Sequence, residues 1–477
     1  MSTLGARLVV LVAMVSTRKV IPALSLAKEY SQAPGDGPLL FRWKKASTIS
    51  IVRGSSLFLL ALCAVVAAHW LRDAFSVAQV DSRDNNWGAD CALLHGLDPY
   101  KLYLHCGHCA KPPFHPAVAP MYSASALVML WPLAALAWPV AKAVWATLNI
   151  LLGAGLVATL CRLFLPDGDW RMFAWALIAL FASTPFLNNL GNGQHAVFAL
   201  AFFPAAIWAE QRGHTRLASV LLAASWFKYS LTFPLSLFFV VRGRFAVLLG
   251  AATIHALLTL LAAAWTGTDP FSLLLEPLRV IQGVGSVGHL ELFGLATRLG
   301  LTSKLPPLIA DLALTIAVLA AIWRGRADDD LQLLSLLALF AYAVTYHYPY
   351  DLVILVIPLF YVVSQARSWK HRDLLQRIWA ALLVVLLTWT WYADHPIQLM
   401  KIHRDHWIIA IYPSYYAALA AWFYATLVIG IAVVACRRPI AVPLPDKERV
   451  AGLARFRMGT SVGSVASGSG RPIGLNS

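Results

Sequence analysis

Charge is what this chain has least of. Asp, Glu, Lys and Arg make up 13% of its 477 residues, against roughly 25% in soluble globular chains. The shortfall excludes an ordinary soluble domain. Of all residues, 59% are hydrophobic, and several apolar runs reach the ~20 residues that cross a bilayer. Other absences narrow the chemistry. No G-x-S-x-G, Walker A motif or Rossmann glycine fingerprint stands in a suitable context, which argues against the enzymes built on those turns. No Lys/Arg tract is interleaved with aromatics, so the net charge of +15 does not describe a nucleic-acid groove, and no nucleic-acid partner is expected. Residues 8–16 (LVVLVAMVS) are apolar but short, and no small-x-small cleavage site follows them.

Cysteine is also scarce, with six in all. Cys63, Cys161 and Cys436 lie in or beside apolar runs, where a thiol behaves as a small hydrophobe. Cys91, Cys106 and Cys109 share one polar loop. A disulfide, a metal contact through "HCGHC" (His105–Cys109), and no special role are all open there, although no second C-x-x-C completes a zinc set. No metal and no other cofactor is expected.

What is present is an all-α, polytopic membrane pattern. Basic residues cluster at the ends of apolar runs and set orientation through the positive-inside rule. Residues 1–50 read as a basic cytosolic tail, and residues 437–477, basic and Gly/Ser-rich, as a disordered one. Both tails cytosolic means an even number of crossings. Spans are expected near 53–72, 117–137, 140–160, 245–265, 307–323, 331–347, 349–365, 376–392 and 414–436. The loops "EQRGHTR" (Glu210–Arg216), "RGR" (Arg242–Arg244), "RGRADDD" (Arg324–Asp330) and "RSWKHR" (Arg367–Arg372) read as cytosolic, and residues 73–116 as the first outer loop.

Two segments break the alternation. Residues 217–241 begin and end at cytosolic arginines, so a broken pair of half-helices is expected, with Lys228 and Pro234 at the break. Residues 172–210 pose the same problem around "NNLGNGQH" (Asn188–His195), with Pro185 before it. Irregular backbone at membrane depth survives where protein covers it or where it lines a wet cavity. The expected fold is therefore about ten full spans plus two broken or re-entrant helical pairs, over residues 51–436.

This topology gathers the chemistry-bearing residues on one face. The stretch "DSRDNNWGADCALLHGLDPY" (81–100) follows the first span and carries four acids. A carboxylate there suits a general base that takes the proton of an attacking hydroxyl. Asp84, just before an aromatic in "DNNW", is the first choice and Asp81 the second; the alternative is that both are solvated loop acids. Asp98, in "GLDPY", has turn chemistry. Lys228 at membrane depth suits a lipid-linked phosphate, or else snorkels to an interface. Gln194 and Asn192 hydrogen-bond sugar hydroxyls or cap the re-entrant turn. In "HYPYD" (His347–Asp351), His347, Tyr350 and Asp351 orient substrate or anchor the interface.

The order of these pieces resembles glycosyltransferase family 87. It runs from an acid after the first span through "ALLHGLDPY", "KPPFHPAVAP", "GNGQ" and Lys228-x5-Pro234 to "HYPYD". The resemblance implies a GT-C-fold enzyme at the plasma (inner) membrane with an extracytoplasmic site. It implies inverting transfer of a hexose, mannose first, or a pentose from a polyprenyl-phosphate donor to a glycan or glycolipid acceptor. The base carries over to Asp84, with Asp81 in reserve. Where the family has an aromatic-rich stretch, this chain has Asn85 and Asn86. Two other readings stand beside it: a lipid or sugar transporter or flippase, since broken helices are common in transporters, and a membrane O-acyltransferase with His347 as base.

Overall fold

The computed structural model describes residues 87–106, 119–165, 170–283, 305–325, 329–345 and 349–364, with a few isolated positions besides. Among the described residues every regular element is an α- or 3-10 helix. The all-α expectation holds. The count of ten spans reaches beyond the described residues, as do both tails and the spans near 53–72, 376–392 and 414–436.

Two short helices come first, α1 (Trp87–Leu94) and α2 (Pro99–Cys106). Gly96, at φ +76°, turns the chain between them. Asp98 starts α2: its Oδ1 accepts from the backbone N–H of Tyr100 (3.0 Å) and Lys101 (3.1 Å), two donors that a helix start leaves unpaired. Its Oδ2 accepts from the Thr268 hydroxyl at 3.1 Å. The turn chemistry expected of Asp98 is what it performs.

Residues 117–137 are expected to cross the membrane, and the structure corrects this. The described part, 119–137, holds only α3 (Ala124–Met129) and α4 (Trp131–Ala134), of six and four residues. The following helix α5 (Trp138–Phe164) starts beside α1: the Trp87 indole N–H donates to the Leu136 carbonyl at 3.3 Å, and the Trp87 and Trp138 rings lie 5.5 Å apart. The described residues from α1 to the start of α5 therefore lie on one side. α5, at 27 residues, is about 40 Å long and is the first described helix able to span alone.

Next come α6 (Trp170–Phe181) and α7 (Thr184–Gly191), whose axes bend by 57° between them. Ser183 makes the break, its Oγ accepting from Phe186 N at 3.3 Å, with Pro185 in the first turn of α7 where no N–H is needed. A turn through Gly193 (φ +64°) leads into α8 (Ala196–Gln211). The break fits against α5 because Gly153 has no side chain: a Cβ there would stand 2.7 Å from the Phe186 ring and 3.0 Å from the Phe181 ring. Close backbone approach over small residues drives helix packing in a lipid solvent.

The second broken pair is as expected. α9 (Thr215–Ser225), a 3-10 turn (Trp226–Lys228) and α10 (Tyr229–Thr232) run in. A second 3-10 turn (Pro234–Ser236) and α11 (Leu237–Val241) run back, with a bend of 117°. Hydroxyls satisfy the freed carbonyls: Thr232 Oγ1 donates to Ser225 O (2.7 Å), and Ser236 Oγ donates to Thr232 O (3.2 Å).

α12 (Phe245–Thr266) is the other helix able to span alone, and its Trp265 indole donates to Leu94 O at the end of α1. α13 (Pro270–Gly283), α14 (Leu305–Gly325), α15 (Asp330–Val344), a 3-10 segment (Pro349–Leu355) and α16 (Val356–Ser364) follow. At the opposite end of the bundle Arg242 pairs with Asp330 (2.5 Å), Gln211 donates to Asp330 (3.1 Å), and Arg244 pairs with Glu210 (3.6 Å). Three of the loops assigned to the cytosol by charge thus meet in one cluster. The main core packs α5, α8 and α9 against α15 and α16, and a smaller one packs α1 and α3 against α12 and α13.

Candidate active site

At the apex of the second broken pair, the Lys228 ammonium lies 2.6 Å from Asp351 Oδ1 and 4.6 Å from the centre of the Tyr350 ring. The pair is buried, with side chains 8% and 1% exposed. A charge at this depth needs a partner, and the 3-10 segment Pro349–Leu355 supplies it. The apex is held from two sides: Thr345 Oγ1 donates to Ser230 O at 2.7 Å, and the Tyr229 hydroxyl to Met121 O at 3.2 Å.

The turn between α7 and α8 reaches the same place. Asn189 ties it down. Its Nδ2 donates to Tyr350 O (2.7 Å) and Pro185 O (2.8 Å), while its Oδ1 accepts from Ala196 N (3.2 Å). Trp145 of α5 donates its indole N–H to Gly193 O at 3.0 Å. Gln194 is buried in this turn, whereas Asn192 is its exposed C-cap residue. His195 sits at the start of α8, its ring 4.8 Å from Phe227 and from Trp145 and 5.0 Å from Tyr122, and within electrostatic reach of Lys228.

On the far side of His195 lies α1. Asp90 is 2% exposed, and burial pushes its carboxyl well above the usual carboxylate range. Asp90 and His195 line one cavity of about 20 Å³, walled by Trp87, Trp138 and Trp145. Asp90 Oδ1 and His195 Nδ1 are both buried without a hydrogen-bond partner among the described residues. From Asp351 through Lys228 and His195 to Asp90, polar groups on four separate segments form one continuous site.

Of the residues singled out in the sequence, Lys228, Gln194, Tyr350 and Asp351 come together here, and Asn192 stands at the edge. Asp81, Asp84 and His347 lie outside the described residues, as do Cys109 and the side chain of Cys106, while Cys91 is a buried free thiol. Asn189, Trp145, His195 and Asp90 escape sequence reasoning as site residues. Only their polarity inside apolar surroundings marks them.

A family comparison fits this geometry. Residues 121–349 match the model of glycosyltransferase family 87. This chain carries a family 87 region. It is the family that the order of motifs resembles, and it implies a membrane glycosyltransferase, in keeping with the apolar helices. The family 87 match takes in His195 and Lys228; it starts after Asp90 and ends just before Tyr350. No curated protein and no solved structure matches the chain significantly.

Proposed function

We propose that the chain is an inverting glycosyltransferase. It moves a hexose, mannose first, or a pentose from a polyprenyl-phosphate donor to a glycan- or lipid-linked acceptor at the outer face of the plasma membrane. The observation that carries the reading is the buried Lys228–Asp351 pair at the break of a re-entrant hairpin. A lysine at membrane depth is a point charge suited to phosphate. In the resting state Asp351 balances it; a bound phosphodiester takes over part of that role, and His347 is assigned to the same phosphate from its place in the sequence. The donor's isoprenoid tail stays among the helices.

The acceptor hydroxyl oxygen attacks the anomeric carbon as the bond from that carbon to the phosphate oxygen breaks. The polyprenyl phosphate leaves with the electron pair, and the hydroxyl proton passes to a carboxylate on the first outer loop. Asp84 is assigned this role, with Asp81 in reserve. Both immediately precede α1, whose Trp87 and Asp90 wall the cavity beside His195. Gln194, Asn192 and Tyr350 face the sugar.

The test is transfer from radiolabelled polyprenyl-phosphate mannose and polyprenyl-phosphate arabinose into membrane acceptors. Asp84→Asn should abolish the product while expression and melting stay unchanged. Full activity in both Asp84→Asn and Asp81→Asn would remove the base assignment. Flux of substrate across proteoliposomes with no covalent product would favour the transporter reading instead, and an acyl mass increment the acyltransferase.

A further inference from the structure

The cavity between Asp90 and His195 has no role in the scheme above, and its composition is unusual. Two side chains, 2% and 1% exposed, line the same space, and each carries a buried polar atom without a partner among the described residues. Buried polar atoms are almost always satisfied, so such a pair calls for something to fill the gap. At about 20 Å³ the gap admits one oxygen-sized group, a water or a hydroxyl, and is too small for a phosphate or carboxylate.

A hydroxyl both donates and accepts, so a single one can serve a carboxyl oxygen and an imidazole nitrogen together. The indole N–H groups of Trp87 and Trp145 are already engaged with Leu136 O and Gly193 O. The His195 ring is clamped between aromatic neighbours, so its Nδ1 direction is fixed before anything binds.

We propose that this cavity is a subsite for one hydroxyl of a saccharide substrate, with Asp90 and His195 as its hydrogen-bonding pair. The resting cavity holds a water, which the sugar hydroxyl replaces. The hydroxyl belongs either to the donor sugar or to the acceptor glycan; both present the same chemistry. The proposal rests on the glycosyltransferase reading, and its test does not require turnover.

The full chain in nanodiscs is titrated with methyl α-D-mannopyranoside and its 2-, 3-, 4- and 6-deoxy analogues, and with the matching arabinoside set, by saturation-transfer NMR. In the wild type one deoxy analogue should bind roughly tenfold more weakly than its parent, because its absence leaves two buried groups unpaired. In Asp90→Ala the parent should fall to the level of that analogue and the discrimination should vanish. His195→Phe, which keeps the stacked ring but removes Nδ1, carries the same expectation should the alanine variant fail to fold. Farnesyl-phosphate mannose separates the two sources: displacement of the glycoside assigns the hydroxyl to the donor, and simultaneous binding assigns it to the acceptor. Equal binding of all analogues by the wild type overturns the subsite, as does unchanged discrimination in both folded variants. Sugar transfer that persists in that case leaves the glycosyltransferase reading standing.

Discussion

Lys228 and Asp351 face each other at 2.6 Å in the interior of the bundle, one from the apex of a broken helical pair and the other from a 3-10 segment. Neither charge is stable there alone. Removing one partner strands the other, which typically destabilises by about 3–5 kcal/mol, whereas replacing both with apolar residues is often neutral. Lys228→Met and Asp351→Leu should each lower the melting temperature clearly. The double variant should recover most of that loss yet transfer no sugar. Single variants that melt like the wild type would show that the pair does not hold the apex.

The seam between α5 and the first broken pair makes a sharper packing test. Gly153→Ala pushes a methyl against the Phe186 and Phe181 rings, while at Gly155, half a turn away, an added Cβ meets nothing within 4 Å. Overpacking of this kind costs about 1–3 kcal/mol. Gly153→Ala should destabilise by that order. Gly155→Ala should be neutral or gain up to about 1 kcal/mol from helix propensity. Melting of the two variants side by side reads the difference.

Membrane sidedness separates the corrected topology from the simple alternation of spans. Ala135, between α4 and α5, is exposed and lies on the side of α1. In a cysteine-depleted chain, Ala135→Cys should react with an impermeant maleimide from the same side as His105→Cys, and from the opposite side to Arg216→Cys. Labelling of Ala135→Cys together with Arg216→Cys would restore 117–137 as a crossing.

Outside the spans, Glu276 of α13 is buried near Asp98, and burial followed by the Asp98 charge raises its pKa from 4.5 to about 7; Lys101 and Arg279 oppose the rise. A carboxyl whose folded pKa exceeds its unfolded value contributes stability below pH 4.5 that is lost as pH rises through 7. The melting temperature should therefore decline between about pH 5 and pH 8, and Glu276→Gln should flatten that decline. An unchanged slope in the variant would assign the pH dependence to other groups.

Much of the architecture is legible in the chain. Pro185, Lys228 and Pro234 mark the two broken pairs, because proline and a charge are the residues that an apolar helix accommodates least. Three of the four arginine loops meet on a common side, because positive charge resists translocation, while Arg367–Arg372 lies outside the described residues. The site is legible only in part. Lys228 and Asp351 stand out as charges in apolar runs, whereas Asp90 resembles any loop acid, and Asn189 and His195 resemble any polar residues at a turn. The segment 117–137 has the apolar content of a span, yet α3 and α4 bury it against α1 and α12.

Composition and charge placement, taken alone, determined that this is a helical membrane protein, that the segments 172–210 and 217–241 are broken, and that three of the basic loops share a side, since each of these depends on the local free energy of moving residues between water and lipid. Only the tertiary structure decided that Asp351 answers Lys228, that Asp90 and His195 line one cavity, and that residues 119–137 fold back instead of crossing. Those outcomes depend on contacts between distant segments, and hydropathy carries no record of which segment a buried side chain meets.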